Sequence, residues 1–103
     1  MTSIELYRDS LSDEAPPANF DPALQGLWWA GKHDWDRAHG CVQQHEGDRR
    51  CDWVHAHLHR IEGDLTNAGY WYRQAGQQMA TVPTDQEWEQ IAVALLPGAE
   101  GKP

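Results

Sequence analysis

Apolar residues recur along the chain at spacings of three and four, which is the pattern of one face of an α-helix. The clearest case lies in residues 53–76, where two apolar stripes flank a break at Gly63 and Asp64. Their members are Val54, Leu58 and Ile61 in the first stripe and Leu65, Ala68, Tyr72 and Ala75 in the second. This pattern predicts two helices that fold back on each other as a hairpin, with Asp64 as the N-cap of the second.

The same pattern predicts an all-α fold for the rest of the chain. Two antiparallel helical hairpins are expected to stack on each other, at about residues 22–45 and 49–76, and a capping helix follows at 84–96. Trp35, Ala38, Val42 and His45 should share one face of the second helix. The residues expected in the core are Val42, Leu58, Tyr72 and Ile91.

In this interpretation the chain has one domain. Residues 1–19 form an N-terminal arm, residues 20–96 form a single helical-repeat domain, and residues 97–103 form a frayed tail. At 103 residues the chain is long enough for one modest core.

Acidic and hydroxyl residues mark the predicted helix starts. Asp21 precedes a proline at the first helical position, and Asp34 and Asp48 precede the next two helices. Thr84 and Glu87 have the spacing of a capping box, in which each side chain satisfies a backbone donor of the other residue. We therefore assign Glu87 to the first turn of the last helix.

The chain contains an internal repeat with a shift of thirty residues. The shift aligns small residues with small residues and one cap with another: Gly26 with Ala56, Asp34 with Asp64, and Ala38 with Ala68. The small residues are expected where paired helices approach closely. At the first turn, His33 stands where the second hairpin has Gly63.

These segments resemble tetratricopeptide-type helical repeats. The matching positions are Gly26, Trp29, Asp34, Trp35 and Ala38 in the first hairpin, and 63–68 with Tyr72 and Ala75 in the second. The resemblance implies a right-handed stack of helices whose concave face binds peptides or partner proteins, with the last helix as its cap. The chain is also similar to small bacterial proteins of about this length, and that similarity implies no activity.

Charge and composition restrict the classes of molecule that the protein is expected to bind. Sixteen acidic residues against eight basic ones give a net charge of −8, which disfavours nucleic acid and anionic membranes. No apolar run reaches the roughly 20 residues of a membrane helix, and the N-terminus lacks a signal-peptide pattern, so we expect a cytoplasmic protein. Cys41 and Cys51 are expected as free thiols, with a cross-hairpin disulfide as the alternative.

The leading functional prediction is a non-catalytic module, without a cofactor, that binds a protein or peptide or its own copy. The aromatic residues outnumber the places in two hairpins that can bury them, and exposed aromatic and arginine side chains anchor interfaces. Covering of these aromatics by the N-terminal arm is the structural alternative. Tyr70 should face outward, and Trp71 should meet the final helix. The predicted binding surface is Trp28, Trp53, Arg60, Tyr70, Trp71 and Arg73.

The competing prediction is a metal site. His55 and His59 are four residues apart and share a helix face, and His39 lies on the helix expected to pack against them. Glu62 or Asp64 would serve as a carboxylate ligand or orienting group, and zinc, nickel or copper would suit the imidazoles. The alternative is that these histidines are interior residues satisfied by hydrogen bonds.

The sequence favours a protein without catalysis. A histidine beside a carboxylate could act as a general base, but no nucleophile motif or glycine-rich phosphate loop accompanies it. A metal-dependent enzyme at the histidine cluster is the catalytic alternative.

Overall fold

The computed structural model describes residues 3–96, which form an all-α protein without a β-strand among them. The predicted frayed tail, 97–103, lies outside the described residues. None of the described helices is both long enough and apolar enough to cross a membrane. The helices are α1 (Ser3–Asp9), α2 (Pro22–Gly31), α3 (Trp35–Gln43), α4 (Arg49–Glu62), α5 (Leu65–Ala75) and α6 (Thr84–Leu95), with a 3-10 turn at Ser10–Ser12.

Aspartate side chains cap four of these helices, as the sequence predicts. Each accepts a hydrogen bond from a backbone N–H in the first turn of its helix and so satisfies a donor that has no partner within the helix. The caps are Asp21 on α2, Asp34 on α3, Asp48 on α4 and Asp64 on α5.

The predicted capping box at the start of α6 is wrong. Pro83 is the N-cap, no side chain caps the helix, and Thr84 is already its first residue. The Glu87 side chain points into the core instead, because Glu87 lies four residues before Ile91 on the buried face of α6.

Helix α4 lies at the centre of the fold. It packs against α5, α3, α2 and α6, while α2 pairs with α3 and α6 also contacts α2 and α1. The four residues predicted for the core are all buried: Val42, Leu58, Tyr72 and Ile91.

Three residues of the predicted stripes lie outside the core. Ile61 and Leu65 are 44% and 55% exposed, because they flank the tip of the α4–α5 hairpin, where no other helix covers them. His45 is exposed because α3 ends at Gln43 and the chain turns away before His45.

The turn after α2 has an unusual backbone. His33 has a φ of 64°, and among the described residues it is the one non-glycine residue with a positive φ. Gly63 has a φ of 89° at the matching turn of the second hairpin. A residue with a Cβ atom costs about 1–2 kcal/mol in this conformation, which glycine adopts freely.

The predicted N-terminal arm packs on the helices rather than extending from them. Tyr7 is buried, its hydroxyl donates to the Leu24 carbonyl at 2.6 Å, and its ring stacks on Trp88 with centroids 5.5 Å apart. Trp28 donates through Nε1 to the Ser10 hydroxyl at 2.9 Å. The N-terminal segment therefore covers Trp28, which is fully buried.

A buried carboxylate joins three helices. Glu87 of α6 accepts hydrogen bonds from His57 and Arg60 of α4 and from the Tyr72 hydroxyl of α5. Burial alone would raise the pKa of Glu87, but these hydrogen bonds outweigh it and lower the pKa below its usual value. The carboxylate is therefore ionised at neutral pH.

Both cysteines are free thiols, as expected. Cys51 is buried, and its burial raises the pKa of the thiol to about 12. Burial also raises the pKa of Cys41. Neither thiol is therefore ionised at neutral pH, and thiolate chemistry is disfavoured at both positions.

Two glycines within helices test the predicted close approach of α2 to α3. A Cβ atom on Gly26 would lie 2.8 Å from Cγ1 of Val42 and 3.3 Å from the Ala38 carbonyl oxygen, whereas one on Gly40 would meet nothing within 4 Å. We expect Gly26→Ala to lower the free energy of unfolding by about 1–3 kcal/mol through overpacking. Gly40→Ala should raise it by up to about 1 kcal/mol through helix propensity. Urea unfolding of both variants measures the contrast, and equal effects would contradict this packing.

Candidate metal centre

Helices α3 and α4 bring three imidazoles together. His39 comes from α3, and His55 and His59 lie one turn apart on α4. One ligand atom from each ring lies within 4.8 Å of the other two. The closest pair is Nε2 of His39 and Nε2 of His55, at 3.1 Å. The four-residue spacing thus places both α4 rings against α3, as the sequence suggests.

The cluster lies between two indole rings. Trp35 stacks on His39 with centroids 4.7 Å apart, and Trp71 stacks on His55 at 4.0 Å. Trp35 is fixed by its Nε1, which donates to the Leu58 carbonyl at 2.7 Å. These aromatic walls help to exclude water, so His55 and His59 are only 2% and 6% exposed.

The sequence does not assign Trp35 or Trp71 to this site. It predicts that Trp71 meets the final helix, but the Trp71 ring packs on His55 of α4 instead. A signal for Trp35 was present, since Trp35 and His39 are four residues apart and therefore adjacent on one face of α3. The position of Trp71 depends on how α5 lies across α4, which spacing within one helix does not define.

Burial favours the neutral form of His39 and His55. Burial, followed by the neighbouring His39 and His59, lowers the pKa of His55 to about 4. The pKa of His39 is also lowered, chiefly by burial and then by His59, although Glu62, Glu46 and Asp36 act in the opposite direction. A metal ion binds the neutral imidazole, so His55 is already in its ligand form at neutral pH.

A fully buried nitrogen of the cluster has no hydrogen-bond partner. Nδ1 of His55 is buried and unpaired, and among the described residues it is the one such side-chain atom. If His55 accepts from His39 at Nε2, its own Nδ1 carries the proton and is an unpaired donor. If His55 donates at Nε2, its Nδ1 is an unpaired acceptor. Either arrangement costs about 1–3 kcal/mol relative to a satisfied ring.

Glu62 orients the third imidazole. Nδ1 of His59 donates to Oε2 of Glu62 at 2.6 Å, which leaves Nε2 of His59 as its free nitrogen. Metal-binding histidines commonly donate their second ring nitrogen to a carboxylate in this way. Asp64 lies near His59 and Glu62 as well, but its side chain also caps α5 through the Asn67 N–H at 3.2 Å.

The distances fit a transition-metal ion after small side-chain movements. Tetrahedral zinc with nitrogen ligands at 2.0–2.1 Å places those nitrogens about 3.4 Å apart. The 3.1 Å between His39 and His55 lies close to that value, and the 4.8 Å limit within the cluster requires a modest contraction. Oxygen-preferring ions such as magnesium fit three imidazoles poorly.

The other histidines lie apart from the cluster. His57 is about 200° round α4 from His55 and pairs with Glu87 through Nδ1 at 2.8 Å. This is the satisfied interior histidine of the alternative interpretation. His33 and His45 are exposed.

The predicted binding surface is only partly exposed. Trp28 is fully buried beneath the N-terminal segment, which corrects its inclusion in a contact surface. Arg60 is half-buried and pairs with Glu87 and the Val82 carbonyl. Trp53 and Trp71 are half-buried as well, and Tyr70 and Arg73 are exposed.

The low pKa of His55 predicts that stability depends on pH. In the unfolded chain this imidazole takes up a proton near pH 6.5, but in the folded protein it does so only near pH 4. The unfolded state therefore binds more protons in this window, and stability falls as pH drops from about 6.5 to 4. We expect His55 to contribute a loss on the order of 3 kcal/mol across the window.

Metal-free protein, denatured with urea at each pH, measures this loss. His55→Gln cannot titrate and serves as the comparison, while His39, His59 and Glu62 stay in place around position 55. The wild-type stability should fall more steeply than that of the variant. Parallel profiles would show that His55 titrates normally in the folded protein.

No family model matches the chain, no curated protein matches it, and no solved structure matches it. A function is therefore inferred from the residues of the site itself. The relevant features are the three imidazoles, the two indole rings beside them and the Glu62 carboxylate bound to His59.

Proposed function

We propose that this protein binds one first-row transition-metal ion through His39, His55 and His59. The observation that carries the proposal is a cluster of three imidazoles, drawn from two helices, in which one ligand nitrogen from each ring lies within 4.8 Å of the other two. Nε2 of His39 and Nε2 of His55 face each other at 3.1 Å. Neutral imidazoles in this arrangement offer lone pairs that one metal ion can accept.

Zinc, nickel or copper matches this donor set better than calcium or magnesium. Imidazole nitrogen is intermediate between hard and soft ligands and suits zinc, nickel and copper. Ions that need thiolate ligands do not match three imidazoles. Glu62 would hold His59 in the required orientation from outside the coordination sphere. Three nitrogens would leave a further position for water or an exchangeable ligand.

Interior hydrogen bonding is the alternative explanation for these histidines. His57 fits it, because its Nδ1 has a buried carboxylate as a partner. His59 fits it in part, because its Nδ1 binds Glu62. His55 does not fit it. Its Nε2 has another imidazole, His39, as its hydrogen-bond partner, and its Nδ1 has no partner.

Metal binding by untagged protein tests the proposal. After treatment with a chelator, the protein should take up one equivalent of zinc, nickel or copper in a calorimetric titration. At a free metal concentration a hundredfold above Kd, the free energy of unfolding should rise by about 2.7 kcal/mol. Magnesium should give no such rise.

Two single variants locate the site. His39→Gln removes a half-buried ligand at little cost to the core, and it should weaken binding at least tenfold. His45→Gln is the matched control, because His45 is exposed just beyond the same helix. If both variants bind the metal ion with equal affinity, or if the wild-type protein takes up no stoichiometric metal, the three histidines have a structural role only.

The second candidate function is the interaction module, in which the two hairpins stack like tetratricopeptide repeats. The observation favouring it is a small exposed patch beside Gly69. Tyr70 and Met79 are 45% and 39% exposed, and Met79 and Arg73 both approach the Gly69 backbone, where a Cβ would lie 3.6 Å from each. Aromatic, methionine and arginine side chains are enriched at interfaces.

Self-association through this patch is directly measurable. Sedimentation should show a concentration-dependent dimer that Tyr70→Ser weakens, while Leu6→Ser, at another exposed apolar residue, leaves it unchanged. A wild-type protein that stays monomeric at the highest attainable concentration would count against self-association.

A further inference from the structure

The N-terminal segment, residues 3–13, occupies a surface formed by α2 and α6, which we call the α2–α6 groove. The segment packs on the core through Ile4, Tyr7 and Leu11, whose spacings of three and four residues place them on one face. Leu11 lies close to Gly31 of α2, where a Cβ atom would be 3.1 Å from Cδ2 of Leu11. The segment is therefore bound as an amphipathic helix is bound in the groove of a partner protein.

Polar contacts join the segment to the same groove. Nζ of Lys32, at the end of α2, donates to the carbonyl oxygens of Leu11 and Asp13 at 2.7 and 2.9 Å. Nη2 of Arg8 lies 2.8 Å from Oε1 of Glu89 of α6, and both side chains are about half exposed. The α2–α6 groove is therefore complementary to this segment in charge as well as in shape.

A hinge of residues 14–19 connects the segment to α2. The hinge is exposed except at Pro16 and Pro17, which are half-buried. Each proline has a fixed φ angle and favours an extended conformation in the residue before it. An exposed hinge that favours an extended course loses few contacts when the segment leaves its own groove.

Two grooves interrupt the packing of the segment on the rest of the protein. One has a volume of about 340 Å³ and is bordered by Leu11 and Trp88, among other residues. The second has a volume of about 290 Å³ and is bordered by Tyr7 and Phe20, among others. Elements with incomplete packing open at a lower free-energy cost than the whole protein unfolds. The segment therefore combines specific contacts with incomplete packing.

We propose that the α2–α6 groove binds the N-terminal segment of a second copy of the chain, so that two copies exchange their segments. The exchanged dimer keeps the contacts between segment and groove, because the incoming segment has the same sequence as the one that it replaces. The two forms differ chiefly in the course of the hinge. The exchange requires neither the imidazole cluster nor the exposed patch at Tyr70.

The hinge sets the concentration at which the dimer forms. A segment tethered by a short flexible linker has an effective concentration in the millimolar range at its own groove. Pro16 and Pro17 lower this value, since a stiff hinge returns the segment to its own groove less readily. We therefore expect the dimer at protein concentrations of about 1 mM or below.

Two charge-reversed variants test the exchange, because they are complementary only between chains. Arg8→Glu and Glu89→Arg each bring like charges together when the segment lies in its own groove. In an exchanged dimer of one copy of each variant, both segments meet a side chain of opposite charge. This heterodimer should exceed the level expected from random pairing about tenfold. High salt should remove the preference, since exposed charges are screened.

Native mass spectrometry measures the pairing, since the heterodimer and the two homodimers differ in mass. The full-length variants are unfolded together in urea and refolded at millimolar concentration. Arg73→Glu mixed with Glu89→Arg is the matched control, because Arg73 is an exposed arginine of α5, outside the segment. The two mixtures have the same net charges, because an arginine becomes a glutamate in each. The control should pair at random.

A hinge variant provides an independent measurement. Replacing both prolines, Pro16→Gly with Pro17→Gly, makes the hinge flexible, so that the segment returns to its own groove more readily. The dimer fraction of the otherwise wild-type chain should fall about threefold. An unchanged or higher dimer fraction would contradict the role of the hinge.

Several results would overturn the exchange. Random pairing of Arg8→Glu with Glu89→Arg is one, and a mixture that stays monomeric at millimolar concentration is another. A dimer that pairs at random and is lost in Tyr70→Ser forms through the patch at Tyr70 instead. If either charge-reversed variant folds only in the presence of the other, the two chains complement each other and the exchange is supported.

Discussion

The buried carboxylate of Glu87 is the constraint on which the arrangement of helices depends. A charge in the core is tolerated only when it is paired and fully hydrogen-bonded, and Glu87 needs donors from two other helices to meet that condition. His57 and Arg60 come from α4, and the hydroxyl of Tyr72 comes from α5. These bonds join α6 to both α4 and α5.

Helix α4 has polar side chains on two opposite faces, because its period is 3.6 residues per turn. His55 and His59 are one turn apart and face α3. His57 and Arg60 lie about 200° and about 140° round the helix from His55, towards α6. The period therefore separates the imidazole cluster from the carboxylate network within a stretch of six residues. It also explains why neighbouring histidines in the sequence have different surroundings and different partners.

The sequence predicted the features that depend on local spacing. Helix positions, aspartate caps such as Asp64 and the meeting of His55 with His39 follow from periodicity and from the order of elements. Features that depend on distant contacts were missed. Glu87 resembles a capping residue until its partners thirty residues away are known, and Trp28 resembles a surplus aromatic until the N-terminal segment covers it. The spacing of Glu87 to Ile91 was a local hint of burial.

Buried polar groups that are fully hydrogen-bonded differ from those that are not, and this difference determines whether a ligand is inferred at each site. The Glu87 carboxylate has a donor on each oxygen, so the folded chain accounts for it without any ligand. His55 is equally buried, but one of its nitrogens has no partner in the chain. His57 belongs to the first case, since its Nδ1 donates to the Glu87 carboxylate. We therefore infer a binding site at the imidazole cluster, where Nε2 of His39 and Nε2 of His55 lie 3.1 Å apart and burial holds His55 in the neutral form that a metal ion binds.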